Sequence, residues 1–389
     1  MLGAPVVATA ARRPVLIGLD AELGFKDSTS AEAIREGILL AADEVNRSGG
    51  VLGGRSIELL ERSNNTIPAR SIANIREFAA MPDLVAVFCG RFSPTVLESL
   101  PTVHELQVPL LDPWGAANGI VDNGYKPNFV FRLSMRDDWA VHRGLGELDA
   151  RGFRKVGLMM LNTSWGRSTT KSAIEYVAKR SKRMTVLDAE WINWDDDVNS
   201  FGDKYQKLLR RGADCLFLTG NATEAALLTK ALLQLPRKDR VPIVSHWGVA
   251  GGNLPGLAGP DFGELDFSVP LTFTLNGKLS PAQSRLVAAH NARFGSKSAQ
   301  QIHSQVGVGH AFDLTHLLAR SINAAAGTNR GLIRSAMENL GPYKGVVRDF
   351  VRPFTPDRHE ALELKDVFMA SYQGPEMILR RKAPARPGK

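Results

Sequence analysis

The chain has 389 residues, a length that suits two or three domains. Its 44% hydrophobic and 23% charged content is ordinary for a globular protein, and no run of about 18 apolar residues is present to span a membrane as a helix. The net charge of +8 is concentrated at the end, where Arg380, Arg381, Lys382, Arg386 and Lys389 lie in a Pro-containing tail without interleaved aromatics, so composition points away from nucleic acid as a partner.

In chain order, residues 1–13 read as a leader or signal remnant: Ala8-Thr9-Ala10 fits a small-residue cleavage site, though no basic start precedes it. A strand follows from Val15 to Leu19, then a polar loop from Asp20 to Ser30. Thr29-x-x-Glu32 predicts a capping box at the start of a helix whose buried face carries Ile34, Ile38, Ala41 and Val45. Ser48-Gly49-Gly50 predicts its end, and a second strand runs from Ser56 to Leu60. The β-α pattern repeats: a helix with Ile72, Ile75 and Phe78, a strand from Leu84 to Cys89, a helix after Pro94, and strands at Val108–Leu111 and Phe129–Leu133. Such repetition predicts a parallel sheet covered on both faces.

The rhythm then restarts. Helices are expected over 138–150, from Trp165-Gly166 to Lys179, over 198–210 and over 222–235, with strands at 154–161, 185–191, 214–218 and 242–245. Two doubly wound units in succession imply two α/β lobes with a cleft between them, and open α/β sheets bind ligands at the carboxyl ends of their strands. Further on, 267–273 is extended, helices are expected over 281–294, 306–326 and 332–340, and VVRDFV and LKDVFMASYQ read as two antiparallel strands. Two cysteines, Cys89 and Cys215, are too few for a disulfide scaffold or zinc site and read as buried thiols in separate lobes.

Catalytic signatures are sparse. Ser168-Thr169-Thr170-Lys171 satisfies S-x-x-K but lacks its companion motifs, and reads as a helix start with an exposed lysine. Asp195-Asp196-Asp197 precedes a helix and reads as capping rather than metal binding. His303 and His310 are seven apart on a helical run and suit packing. What stands out is a set of loops at strand ends: Leu23-Gly24-Phe25 ending at Ser28-Thr29-Ser30, Gly90-Arg91-Phe92-Ser93, Asp112-Pro113-Trp114-Gly115-Ala116, Asn162 to Trp165-Gly166, Thr219-Gly220-Asn221-Ala222 and Ser245-His246-Trp247-Gly248. They mix aromatic and polar groups as small-molecule sites do, and the helices opening there can present backbone N–H groups to a carboxylate.

The stretch EVNRSGGVLGGRSIEL, with the strand and loop before it, resembles the start of the type I solute-binding proteins of ABC importers, in the branched-chain amino-acid branch, and the resemblance extends over about residues 14 to 380. It implies a two-lobed fold with three crossovers: lobe one at 14–133 plus 270–343, lobe two at 134–269 plus 344–382, and a basic tail at 383–389. It also implies an extracytoplasmic, periplasmic protein that is a monomer, captures a small molecule by cleft closure and delivers it to importer membrane subunits, with no cofactor, metal or catalysis. Carried over by motif, VFCGRFSPT holds a ligand carboxylate, PLLDPWGAAN grips both polar groups, and Trp165-Gly166 stands where the family often has Tyr-Gly. The expected ligand-binding residues are Arg91, Phe92, Ser93, Trp114, Gly115, Ala116, Trp139, Trp165, Asn221, His246 and Trp247. Amino-acid binders of the branch place a hydroxyl near Ala116 and an acid near Trp247; both are apolar here, so an aromatic or aliphatic carboxylate, or an amide, is expected over leucine unless Asp138 or Glu224 supplies the acid. A ligand-sensing regulator of the same fold and an enzyme on a similar frame are the competing readings.

Overall fold

A computed structural model describes residues 13–373 and 376–379. The leader reading (Arg13 apart) and the basic tail lie outside the described residues. Five parallel strands form the first sheet: β1 (Val15–Ala21), β2 (Ile57–Ser63), β3 (Leu84–Cys89), β4 (Leu110–Asp112) and β5 (Val130–Arg132), in the order β2-β1-β3-β4-β5. Helices α1 (Ser30–Arg47), α2 (Pro68–Ala79) and α3 (Ser93–Glu105) make the crossovers. Every residue of β3 is buried, as a parallel strand covered on both faces requires.

The second sheet repeats the plan. Its parallel strands are β6 (Lys155–Leu161), β7 (Thr185–Val186), β8 (Glu190–Ile192), β9 (Cys215–Thr219), β10 (Ile243–Ser245) and β11 (Phe267–Leu271), linked by α4 (Asp137–Ala150), α5 (Ser164–Arg180), α6 (Val198–Arg210), α7 (Ala222–Leu233) and the short α8 (Leu254–Ala258). The chain then returns to the first unit. After α9 (Pro281–Phe294), α10 (Gln305–Ala324) packs along α1, and α11 (Arg330–Glu338) packs on α10 and β3. A hairpin of β12 (Tyr343–Lys344) and β13 (Asp349–Phe350) follows. The chain finally adds β14 (Phe368–Gln373), antiparallel to β11, and β15 (Glu376–Leu379) to the second sheet. It therefore passes between the two units three times. Cys89 ends β3 and Cys215 opens β9, in different sheets, and they form no disulfide.

Three local expectations are corrected. The Thr29–Glu32 capping box does not form: Thr29 Oγ1 lies 2.6 Å from Ser304 Oγ, and Glu32 Oε1 accepts from Gly24 N at 3.0 Å, bracing the loop instead of the helix start. The strand expected over 185–191 is two short strands, each pairing with a different part of β6. VVRDFV contributes only Asp349–Phe350, paired with Tyr343–Lys344 away from both main sheets. The aspartate run acts as read: Asp197 accepts from Ser200 N at 2.8 Å to cap α6, and Asp196 takes Asn193 N at 2.8 Å and the Lys204 ammonium.

Strand order 2-1-3-4-5 places a reversal between β1 and β3 in the first sheet, and an equivalent reversal between β6 and β9 in the second. Crossovers on either side of such a point diverge and leave a crevice at the carboxyl ends. The two crevices face each other.

Candidate functional site

Each wall of the site is a strand end running into a helix. From the first unit come Arg91, Phe92, Ser93 and Pro94, between β3 and α3, and Trp114 and Ala116 after β4. From the second come Thr163 and Trp165 at the start of α5, Trp194 after β8, Asn221 before α7, and Trp247 and Gly248 after β10. Together they line a mostly apolar cavity that, as the lobes stand in this structure, has about 20 Å3 of room, enough for about one water molecule. The N-termini of α3, α5 and α7 all reach this space, so their dipoles favour negative charge in it.

The aromatic back wall spans both units. Trp114 and Trp247 are almost fully buried with ring centroids 5.6 Å apart, and Trp247 lies 5.7 Å from the ring of His310 on α10. The loop carrying Trp114 is held from two sides. Asp112 Oδ1 accepts from Trp114 N at 3.0 Å and Gly115 N at 2.6 Å. Arg132 Nη1 donates to Gly115 O at 3.1 Å and Ala117 O at 2.9 Å, while its other nitrogens bind Glu360. Burial pushes the Asp112 carboxyl up to about 7 despite Arg132 and the two N–H donors.

Arg91 is the cation of the cavity. It is buried, its Nη1 donates to Gly251 O at 3.3 Å, and its Nε has no hydrogen-bond partner among the described residues. Glu22, at the end of β1, lies beneath it with Oε1 3.7 Å from Nε, and accepts from Ser30 Oγ at 2.7 Å. Burial lowers the affinity of the Arg91 guanidinium for its proton, and the charges of Glu22, Glu224 and Glu32 oppose that. Arginine titrates so high that it stays charged. A buried guanidinium with an unused N–H gains most from a carboxylate or an amide carbonyl.

Of the eleven residues expected from sequence, eight line the cavity: Arg91, Phe92, Ser93, Trp114, Ala116, Trp165, Asn221 and Trp247. Three do not. Gly115 is tied back by Asp112 and Arg132. His246 is fully buried behind Trp165, ring centroids 5.0 Å apart. Its Nε2 is 3.0 Å from Asp137 Oδ1 but out of line for a hydrogen bond; Trp165 Nε1 donates to that oxygen at 3.0 Å. Trp139 lies under Arg136 on a separate surface groove, because α4 turns that face away from the cavity. Neither alternative acid lines this cavity, though Glu224 borders the open chamber next to it. Asp138 pairs with Arg136 at 3.0 Å on that groove, and Glu224 caps α7 by accepting from Asn221 N at 2.7 Å. Sequence reasoning did not single out Pro94, Thr163, Trp194, Gly248 or Glu22. Pro94, Thr163 and Gly248 lie inside stretches the sequence already marks, but Trp194 falls between an expected strand and an expected helix with no motif of its own, and Glu22 sits unmarked in a polar loop.

The fold and cleft define a class: two doubly wound α/β lobes, joined by three crossings, that hold a small molecule between their strand ends. The chain belongs to the periplasmic binding protein family, whose family model matches residues 19–363. Leu/Ile/Val-binding protein homolog 2 of Brucella abortus (strain 2308) is 24% identical over 343 residues, covering 86% of this chain and 85% of that one. A type 1 periplasmic binding protein from Bordetella pertussis Tohama I superposes with a TM-score of 0.82 at 20% identity, over 94% of this chain and 99% of that one. A solute-binding protein of an ABC transporter from R. palustris, in complex with 4-hydroxybenzoate, superposes with a TM-score of 0.77 at 15% identity, over 94% and 95%. The likeness to these two structures is one of fold.

Proposed function

We propose that this protein is the extracytoplasmic capture component of an ABC importer, closing its lobes on a small amino-acid-like, carboxylate or amide ligand and presenting it to the membrane subunits. The observation that carries this reading is Arg91, a buried cation with an unused N–H, set at an aromatic chamber whose walls come from both lobes. Closing the lobes excludes water, so the charge-assisted bond to Arg91 forms where it is strongest, and the tryptophans supply apolar contact to the rest of the ligand. No bond is made or broken in this role. The acting unit is a monomer, periplasmic in location, with lobe one at 14–133 plus 270–343 and lobe two at 134–269 plus 344–382. Among the described residues no helix is long and apolar enough to cross a membrane, which fits delivery to a separate membrane partner.

The ligand class follows from what faces the cavity. Ala116 and Trp247 line it at the positions where the family resemblance implies a hydroxyl and an acid for an ammonium; Asp138 faces a separate groove, and Glu224, which borders the adjoining chamber, is engaged in capping α7. Amine-free carboxylates and amides are therefore favoured over leucine. The named relatives support a carboxylate joined to an apolar body: one is called a Leu/Ile/Val-binding protein and another holds 4-hydroxybenzoate.

A thermal-shift screen against leucine, benzoate, aliphatic carboxylates and amides tests the reading. A ligand at 100 times its Kd stabilises the fold by about 2.7 kcal/mol. We expect an amine-free acid or amide to give a larger shift than leucine, and Arg91→Gln to lose most of it. No shift from any member, or an equal shift in Arg91→Gln, contradicts the proposal.

A further inference from the structure

The enclosed cavity does not end at Arg91. A second, open-mouthed chamber of about 500 Å3 adjoins it and shares Arg91, Phe92, Pro94, Thr163, Trp194 and Asn221 with it. Beyond that shared neck the outer chamber is bounded by Phe25, by the buried Glu224 and, nearer solvent, by Lys26, Asp27 and Thr223. Along the path lie the tryptophan wall (Trp114, Trp165, Trp247), a neck that mixes polar and aromatic groups (Arg91, Thr163, Asn221, Phe92, Trp194), and then Phe25 on the outer side.

The outer aromatics come from both lobes, and Phe25 and Trp194, unlike the buried Phe92, stay largely outside the core. Phe92 stands edge-on to Phe25 at 5.6 Å and to Trp194 at 6.2 Å, bridging the lobes. Yet Phe25 is 40% and Trp194 56% exposed, in contrast to the nearly buried Trp114 and Trp247 of the inner chamber. Large aromatics half-exposed on opposite walls of one cleft, continuous with an inner site, offer apolar area to a molecule passing between them.

Building on the capture role proposed above, we infer that the ligand is longer than the inner cavity: a carboxylate or amide with an apolar arm on each side. The polar centre sits at Arg91. One arm packs on the tryptophan wall, which must part further than in this structure to admit it, and the other lies between Phe25, Phe92 and Trp194, leaving the cleft mouth partly occupied. This makes the outer chamber a specificity subsite for arm length rather than an access route alone.

Calorimetric titration of the whole protein with benzoate, leucine and N-benzoyl-leucine tests this, using Phe25→Ala as the variant. Phe25 lines the outer chamber and not the inner cavity, and sits half-exposed in a loop, so its removal spares every residue that lines the inner site. N-benzoyl-leucine should bind wild type about tenfold more tightly than the better of the two short acids, since a second arm buries an aryl face. Phe25→Ala should erase that gain and leave the affinity for the better short acid unchanged. If a short acid binds and the second arm adds nothing, the inference fails while the capture role stands. If Phe25→Ala weakens short and long ligands equally, the outer aromatics serve lobe closure and the inference also fails. If no member binds, both readings fall.

Discussion

At the scale of single residues, charge placement decides most of what the site can do. Arg91 is held by Glu22 at 3.7 Å and by Gly251 O at 3.3 Å, both looser than an optimal charge-assisted bond, so a ligand oxygen can compete for it without stripping a bidentate partner. Arg132, in contrast, is committed to Glu360 and to two carbonyls, and its work is to hold the Trp114 loop. His310 illustrates the cost of burying a titratable ring behind the site. Its Nδ1 lies 2.9 Å from Pro113 O and its Nε2 3.1 Å from Thr272 Oγ1, a geometry that suits the neutral ring donating to the carbonyl and accepting from the hydroxyl. Burial lowers its pKa from 6.5 to about 4. A folded value below the unfolded one gives stability that is complete above pH 6.5 and lost as pH falls through that window towards 4. Asp112 and Asp313, pushed up to about 7 and about 6, act in the opposite sense, favouring the fold as they take up protons. Comparing wild type with His310→Gln isolates the histidine: the stability advantage of wild type should shrink between pH 6.5 and 4, by on the order of 3 kcal/mol. A difference in melting temperature that is flat across that range contradicts it. At this scale the sequence was legible where a side chain follows a strand end directly, as Arg91, Trp114 and Trp247 do. It was silent on orientation, so nothing in the residue order told that His246 would turn inward or that Trp139 would face the opposite groove.

At the scale of elements, apolar runs located the parallel strands well because a strand buried on both faces has few alternatives, and β3 and β9 are buried throughout. Short edge strands were harder, since β7 and β8 each hold only two or three pairs and their break at 187–189 has no apolar signature. The capping box failed for a related reason: both of its side chains found tertiary partners, which a local motif cannot foresee. The crossing of α1 and α10 shows the same limit. Gly37 faces α10 so closely that a Cβ there would collide with the Val308 carbonyl oxygen and lie 3.0 Å from Ala311 Cβ. Helix propensity favours alanine over glycine by about 1 kcal/mol. Overpacking against backbone, which cannot swing aside, costs about 1–3 kcal/mol. Gly37→Ala should therefore lower the melting temperature. Gly331→Ala in α11, where the nearest contact is Asn329 Oδ1 at 3.4 Å, should hold or raise it. Equal effects of the two substitutions on thermal melts would show that the helix crossing is not the tight contact described.

At the scale of the whole molecule, the two sheets share one plan, and their reversal points are set mouth to mouth. The repeat was visible in the alternation of strands and helices, and with it the expectation of two lobes. What the order of elements does not carry is how the lobes meet. In the structure Gly251 O takes N–H groups from Thr29 at 3.0 Å and Arg91 at 3.3 Å, Ser304 Oγ donates to Ala250 O at 3.1 Å, and Trp114 packs on Trp247. These contacts join residues far apart in sequence, and Arg91 belongs both to the junction and to the cavity, so the proposed capture role would couple ligand binding to lobe closure through one side chain. Four of the six tryptophans, Trp114, Trp165, Trp194 and Trp247, line the cavity. The measurement that bears most directly on the account is therefore an intrinsic tryptophan fluorescence titration with the acid or amide that stabilises the fold most. The account predicts a saturable change in emission with the same midpoint as the thermal stabilisation. A ligand that stabilises the protein while the emission stays constant binds somewhere other than this cleft, and would contradict it.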